Sequence, residues 1–356
     1  MENTNNPMAL LETNTNPVFC VQDGSVLYAN AAAATRGVEV GAKIDDLLTT
    51  GKQEYADFSG HCLYLSLELC GCICSATVTR EKDFDVFVLE TNEEAKSLQA
   101  LALAARELRA PLANIMTVSQ RLFPDAAENV EAADNVQHLN KSIYQMLRII
   151  SNMSDASRYS THNAPTEATD LSIFFSELME KCAALAAQAD VKIEFTGLSQ
   201  SLTTIVNPEQ LERAVYNLLS NAIKFSPAGS TVQVKLTKAN NMLYISVQDQ
   251  GAGIRDGLRS GIFKRFYREP GIEDGLNGIG LGMVMVRAAA TSHGGTVLVE
   301  QLPNAGLRVT ITVHLGHSKT ATLRSPIHRV DYLGELDHGL VELSDALPAD
   351  AYKIIN

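Results

Sequence analysis

Asn217, Asn221 and Lys224 stand at spacings of four and three in Asn217-Leu-Leu-Ser-Asn221-Ala-Ile-Lys224. On a helix all three project from one face. Amide oxygens suit a hard cation such as Mg²⁺, and a lysine ammonium suits a phosphate as a point charge. Further on, Val247-Gln-Asp249-Gln-Gly251-Ala-Gly253-Ile254 reads as a strand that ends in a carboxylate and enters a glycine-rich turn. An ionised carboxylate only accepts, so Asp249 can take a hydrogen bond from an exocyclic amine such as that of adenine. Gly251 and Gly253 let the backbone pass close to a flat base. Gly278-Ile-Gly280-Leu-Gly282 then opens a helix at Met283, where backbone amides favour a phosphate. Each cluster alone is weak: a lone NxxxN is mostly a solvated helix face, and a lone glycine run is mostly a turn.

The elements that must position these residues change in texture along the chain. Residues 15–92 read as short strands and turns, with Asp23-Gly24 a hairpin signal between Pro17-Val18-Phe19-Cys20-Val21 and Val26-Leu27-Tyr28-Ala29-Asn30. From 93 to 160 the pattern is helical. Leu98, Leu101, Ala105, Leu108, Leu112, Ile115, Ser119 and Leu122 recur at 3,4 spacing, and after a turn signal at Pro124-Asp125 the same spacing returns in Val136, Leu139, Ile143, Met146, Ile150 and Met153. Such a helical hairpin completes its core by pairing with a second copy, which predicts a homodimeric four-helix bundle. Residues 161–169 read as a linker, 170–315 as an α/β domain, and 1–14 as a disordered start. Residues 316–356 hold no chemical motif and read as an appendage.

Composition narrows the partners. The chain has 356 residues, 46% hydrophobic content and a formal charge of −12. That charge opposes phosphate backbones and anionic membranes, so nucleic acid is not an expected partner. No run approaches the roughly 18 apolar residues of a membrane span, and the start lacks the features of a signal peptide, which predicts a cytoplasmic protein. Six cysteines without an export signal favour reduced thiols. Cys70, Cys72 and Cys74 alternate along an expected strand, with Cys62 upstream. Core packing is the simpler expectation, since CxCxC is not the CxxC of common zinc sites, and a thiolate metal or redox site is the other.

Taken in order, the asparagine helix, the Asp249 turn, Ile262-Phe263-Lys264-Arg265-Phe266-Tyr267-Arg268 and the Gly278 run resemble the N, G1, F and G2 boxes of the ATP-binding domain of sensor histidine kinases. Gyrases, Hsp90 chaperones and mismatch-repair proteins share that domain. The resemblance spans about Asp170 to Leu315 and passes through His293-Gly294-Gly295, where the histidine fits a structural turn. It implies an α/β sandwich of the GHKL (Bergerat) type within a multidomain α+β protein, with ATP and Mg²⁺ as cofactors. Asn221 is then the Mg²⁺ ligand, with Asn217 beside it as a catalytic position. Lys224 touches phosphate, Asp249 reads adenine, Gly251 and Gly253 shape the base pocket, Gly278 belongs to the cofactor-binding set, and Gly280 and Gly282 anchor a lid. Residues 255–277 correspond to a mobile lid.

Ala105-Arg106-Glu107-Leu108-Arg109-Ala110-Pro111-Leu112 is similar to the H box of the same family, whose usual form is His-Glu-Leu-Arg-Thr-Pro-Leu. Glu107 keeps its catalytic position and Pro111 is expected to kink the helix. Arg106 stands where the family has its phosphoacceptor histidine. Guanidinium stays protonated and has no lone pair to offer, so it cannot replace imidazole as a nucleophile. Ala110 replaces the Thr or Asn that orients water for dephosphorylation. His138, on the second helix, lacks the Glu-Leu-Arg context of an acceptor. Residues 15–92 resemble a PAS sensor domain through the hairpin and Tyr28-Ala29-Asn30.

The resemblance implies a signalling protein of a two-component system, with self-phosphorylation opposed by Arg106. Its partners are then a second copy and a response regulator or partner histidine kinase. A pseudokinase adaptor controlled by ATP, and a serine kinase like the anti-sigma kinases, are the alternatives.

Overall fold

The computed structural model describes residues 15–81, 83–90, 93–122, 130–159, 166–254, 263, 280–303, 306–316 and 336–353, with side chains of the two long helices over 103–119 and 132–155. Strands β1 (Val18–Gln22) and β2 (Ser25–Ala29) form the expected hairpin. Asp23 and Gly24 turn it at φ of 49° and 74°, the left-handed region that short hairpin turns require. Asn30 ends the hairpin by accepting from the Val18 amide at 3.0 Å and the Ala33 amide at 2.9 Å, so one side chain starts the helical turn Ala31–Ala34 and ties it to β1. Strands β3 (Cys62–Leu69), β4 (Cys72–Arg80) and β5 (Asp85–Leu89) follow, in the spatial order β2-β1-β5-β4-β3. Phe19, Phe58, Leu63, Leu65, Leu67 and Phe87 fill the core of this unit.

The cysteines differ from expectation. Cys70 lies in the β3–β4 turn at φ 50°, Cys72 is exposed and Cys74 half-buried, so they do not share a packed strand face. The turn between Leu69 and Cys72 breaks the alternation on which that reading depended. Among the described residues no group of His, Cys, Asp and Glu is placed to hold a metal.

Helices α1 (Glu93–Leu122) and α2 (Val130–Tyr159) pack on one another. The helix α1 runs through Pro111. Its seam splits: Ala105, Leu112, Met116 and Ser119 are buried, whereas Leu108 and Ile115 are 48% and 47% exposed. The turn signal at Pro124-Asp125 lies outside the described residues.

Beyond the hairpin come β6 (Glu167–Asp170), α3 (Leu171–Ala186), β7 (Lys192–Thr196), β8 (Thr203–Val206), α4 (Pro208–Phe225), β9 (Thr231–Ala239), β10 (Met242–Gln248), α5 (Gly282–Ser292), β11 (Val297–Gln301) and β12 (Leu307–His314). The end of the expected linker is structured, because Glu167–Asp170 pairs antiparallel with β8 in a two-stranded sheet. Asp170 caps α3, accepting from the Ser172 amide at 2.9 Å. The larger sheet runs β11-β12-β10-β9-β7, with β7 parallel to β9, and α3, α4 and α5 pack over it. Alternating Leu243, Ile245 and Val247 on β10 face those helices, as period-two patterning requires.

The two sheets are continuous. β3 pairs antiparallel with β11 through Cys62↔Val299, Leu63↔Leu298 and Tyr64↔Val297, giving ten strands in one sheet. Each domain's edge thereby covers the other's unpaired backbone groups. Glu90, after β5, forms an ion pair with buried Arg287 of α5 and accepts from the Tyr64 hydroxyl at 3.1 Å.

Residues 336–353, within the expected appendage, are packed. They pack between α2 and the helices α3 and α4, with α6 (His338–Glu342) at their start and Val341, Leu343, Leu347 and Tyr352 buried. No helix among the described residues is long and apolar enough to cross a membrane.

Candidate functional site

Helix α4 owes its start to Asn207, which accepts from the Gln210 amide at 2.9 Å, and to Pro208 in the first turn. Leu211, Ala214, Val215, Leu218, Leu219 and Ala222 bury its apolar side, which aims Asn217, Asn221 and Lys224 along the remaining face. Asn217 is 1% exposed and fixed, its Nδ2 donating to the Arg213 carbonyl at 2.8 Å. Asn221 and Lys224 are half-buried, and the Lys224 ammonium lies 5.4 Å from the centroid of the Phe225 ring.

The helix α5 begins beside this face. A Cβ placed on Gly282 would lie 3.0 Å from the Asn217 Oδ1, so any larger residue would crowd the asparagine. Gly280 has φ 71°, which bends the chain into the helix. The α5 N-terminus has no side-chain cap and no acidic residue in its first turn. Its leading amides carry the partial positive charge of a helix start.

Asp249 sits at the end of β10, 9% exposed. Its Oδ1 accepts from the amides of Gly251 at 2.8 Å and Leu307 at 3.0 Å. Burial pushes the carboxyl above its ordinary pKa, while those two backbone donors favour the ionised form. Both donors converge on one oxygen and fix the carboxylate plane. Gly251 allows this turn because a Cβ there would come within 2.6 Å of the Phe225 carbonyl oxygen, and Gly253, at φ 75°, passes under the Gln301 amide. Gln301 accepts from the Ile254 amide at 2.8 Å and donates to the Gly306 carbonyl at 3.0 Å, an organiser of this turn that no motif marked. Gly278 and, apart from Phe263, residues 255–277 lie outside the described residues. Phe263 is buried, and its carbonyl accepts from Arg287 at 3.0 Å.

His293 belongs to the scaffold. Its Nε2 accepts from the Asn207 amide at 2.9 Å and its Nδ1 lies 2.7 Å from the Ala289 carbonyl, which assigns the proton to Nδ1. Burial lowers its pKa, the Ala289 bond opposing.

On the hairpin, Ala105 is fully buried and Arg106 and Glu107 are exposed. His138 is exposed too, 3.9 Å from Asp134 one turn away. The hairpin residues that do meet α4 come from α2. Arg148 donates to Ser220 Oγ at 2.8 Å and to Asn217 Oδ1 at 3.3 Å, and Asp155 pairs with Arg213 at 2.8 Å. Arg213 also reaches Ser151. Arg148, Ser151 and Asp155 are spaced three and four apart, so polar residues interrupting an apolar helical stripe were the signal available in the sequence.

Residues 206–317 match the family of histidine kinase-, DNA gyrase B- and HSP90-like ATPases. The sensor protein IrlS of Burkholderia pseudomallei is 31% identical over 212 residues, covering 56% of this chain and 43% of its own. Sensor histidine kinase RppB of Synechocystis is 31% identical over 220 residues, covering 60% and 48% respectively. The matched stretch is thus less than half of either relative. The crystal structure of full-length ShkA in complex with AMPPNP shares the fold over 63% of this chain and 47% of that one, with a TM-score of 0.50 and 22% identity. Residues 206–317 are therefore a histidine-kinase-like ATPase domain, carried by a chain homologous to sensor histidine kinases.

Proposed function

We propose that this chain binds Mg-ATP between α4 and α5 as a signalling protein of a two-component system, and that it does not phosphorylate its own hairpin. The observation that carries the nucleotide reading is the close approach of Asn217 to the start of α5 at Gly282, whose lack of a side chain leaves room there. An amide-oxygen face and a set of open backbone amides then converge, which suits a metal triphosphate.

Asn221 would hold Mg²⁺ with Asn217 beside it, Lys224 and the α5 amides would take phosphate oxygens, and Asp249 would accept from the adenine amino group. Bound ATP supplies a transferable γ-phosphoryl group. The fixed Asp249 plane and the close turn at Gly251 select a flat base with a donor at its edge. Arg106, exposed, offers no nucleophile, because a guanidinium has no lone pair to give, so the readout of nucleotide binding is a change of domain contacts or phosphorylation of a partner's histidine. The N-terminal unit is read as a PAS-type input domain, its sheet continuous with the ATP-binding domain through β3 and β11.

A second copy is the expected partner of the hairpin. Leu103, Leu108, Ile115 and Val118 are each about half exposed or more along α1, and a second hairpin would cover them.

Thermal unfolding with Mg-ATP, Mg-GTP or Mg²⁺ alone tests the nucleotide reading. A ligand of the native state raises the melting temperature. Mg-ATP is expected to raise it above Mg²⁺ alone and above Mg-GTP; no rise with either nucleotide counts against the reading.

A further inference from the structure

Residues 336–353 reach both sides of the junction between the hairpin and the ATPase domain. On the hairpin side, the Tyr352 ring packs edge-on against Tyr144 at 5.0 Å, and the Tyr352 carbonyl accepts from Asn140 at 3.4 Å. On the ATPase side, His338 packs edge-on against Tyr216 at 5.3 Å, and Gly339 comes so near α3 that a Cβ would lie 2.6 Å from Leu185 Cδ1. Two buried arginines tie the three parts together. Arg148 of α2 pairs with Asp345 at 2.9 Å while donating to Ser220 and Asn217 of α4. Arg213 of α4 pairs with Asp155 of α2 at 2.8 Å and Glu342 at 3.2 Å. Removing one partner of a buried ion pair is strongly destabilising, because the other charge is left buried and unpaired.

The contact with Asn217 gives the arrangement a consequence. Asp345 holds Arg148 where its guanidinium occupies Asn217 Oδ1, the oxygen that faces Gly282. A divalent cation beside that asparagine meets a like charge at close range, in a setting where water screens little. We infer that residues 336–353 are an intramolecular latch. It clamps the ATPase domain onto α2 with Arg148 over Asn217, and opening the latch and filling the nucleotide pocket favour one another. The coupling rests on the nucleotide reading of Asn217; the latch itself rests only on the contacts of 336–353. Linkage makes the effect reciprocal: whatever weakens the latch tightens nucleotide binding, and nucleotide loosens the latch.

Hydrogen exchange on the full chain, with and without Mg-ADP, tests both parts in the parent, in Asp345→Ala and in Asp345→Asn, which keeps the side chain's shape. Without nucleotide, amides of 336–353 are expected to exchange about tenfold faster in the variants, as local opening becomes easier. Calorimetry is expected to show Mg-ADP binding to the variants about fivefold more tightly, and saturating Mg-ADP to speed exchange of 336–353 in the parent. Unchanged exchange in both variants overturns the latch, whatever binds. Faster exchange with unaltered affinity overturns the coupling. Faster exchange with no nucleotide bound by any form upholds the latch and overturns the nucleotide reading.

Discussion

Arg148 of the hairpin donates to Asn217 Oδ1 of the ATPase domain at 3.3 Å, from a position 4% exposed. An asparagine expected beside a metal is thus read by a cation from a different part of the fold. The hairpin and the proposed nucleotide pocket meet at this bond, so a change in one is expected to be felt in the other.

Arg106 is exposed on α1, so substituting it does not disturb the packed seam around Ala105 and Leu112. With radiolabelled ATP, Arg106→His is expected to acquire acid-labile label on the hairpin while the parent does not. Label on the parent hairpin, or none on the variant despite bound ATP, contradicts the missing-acceptor account. The difference is chemical: imidazole offers a lone pair near neutral pH and guanidinium does not.

Leu108 and Ile115 lie one heptad apart and are about half exposed, although the 3,4 pattern places them in a seam. Light scattering is expected to give a dimer for the parent chain and a monomer for Leu108→Glu/Ile115→Glu, since burying two carboxylates in an apolar interface is costly. A dimer that survives both substitutions places the interface elsewhere.

Gly251→Ala puts a methyl group 2.6 Å from the Phe225 carbonyl oxygen and 3.2 Å from Asp249 Oδ1. Overpacking of this kind costs about 1–3 kcal/mol, read as a lower urea midpoint. Nucleotide affinity is expected to fall with it, because the turn that orients Asp249 must shift. An unaltered midpoint and affinity would show that the turn relaxes freely.

His293 sets a pH dependence whose sign follows from its lowered pKa. The folded chain disfavours the second ring proton, so the unfolded chain binds more protons below the ordinary value of 6.5. The stability from neutral His293 is present in full above that pH and is lost as pH falls below it toward the folded value. Urea unfolding across this window is expected to show a shallower decline in His293→Gln than in the parent. Equal slopes would assign the decline to other groups.

Much of the candidate site's local geometry was legible because its logic is local. The four-and-three spacing of Asn217, Asn221 and Lys224 needs only a helix to make one face, and Asp23-Gly24 needs only two flanking strands to make a hairpin. The β3–β11 pairing was not legible, since the alternation of Cys62–Leu69 sets the faces of a strand and says nothing of which edge it meets. Residues 336–353 were missed for a similar reason. Val341, Leu343 and Leu347 mark a buried segment, but the groove that receives it is assembled from α2, α3 and α4, far away in sequence. The CxCxC run misled because alternation was carried through Cys70 and Gly71, where the chain turns.

Calorimetric titration of Mg-ATP into the full chain and into Asp249→Asn tests nucleotide binding most directly. Asn keeps the size of the side chain and an acceptor oxygen but loses the charge, and a hydrogen bond to a charged group contributes about 1.5–3 kcal/mol. The parent is expected to bind Mg-ATP, and Asp249→Asn to bind it about 10- to 100-fold more weakly with the same unfolding cooperativity. No binding by the parent, or equal binding by both, contradicts an ATP site built on Asn217, Asn221 and Asp249.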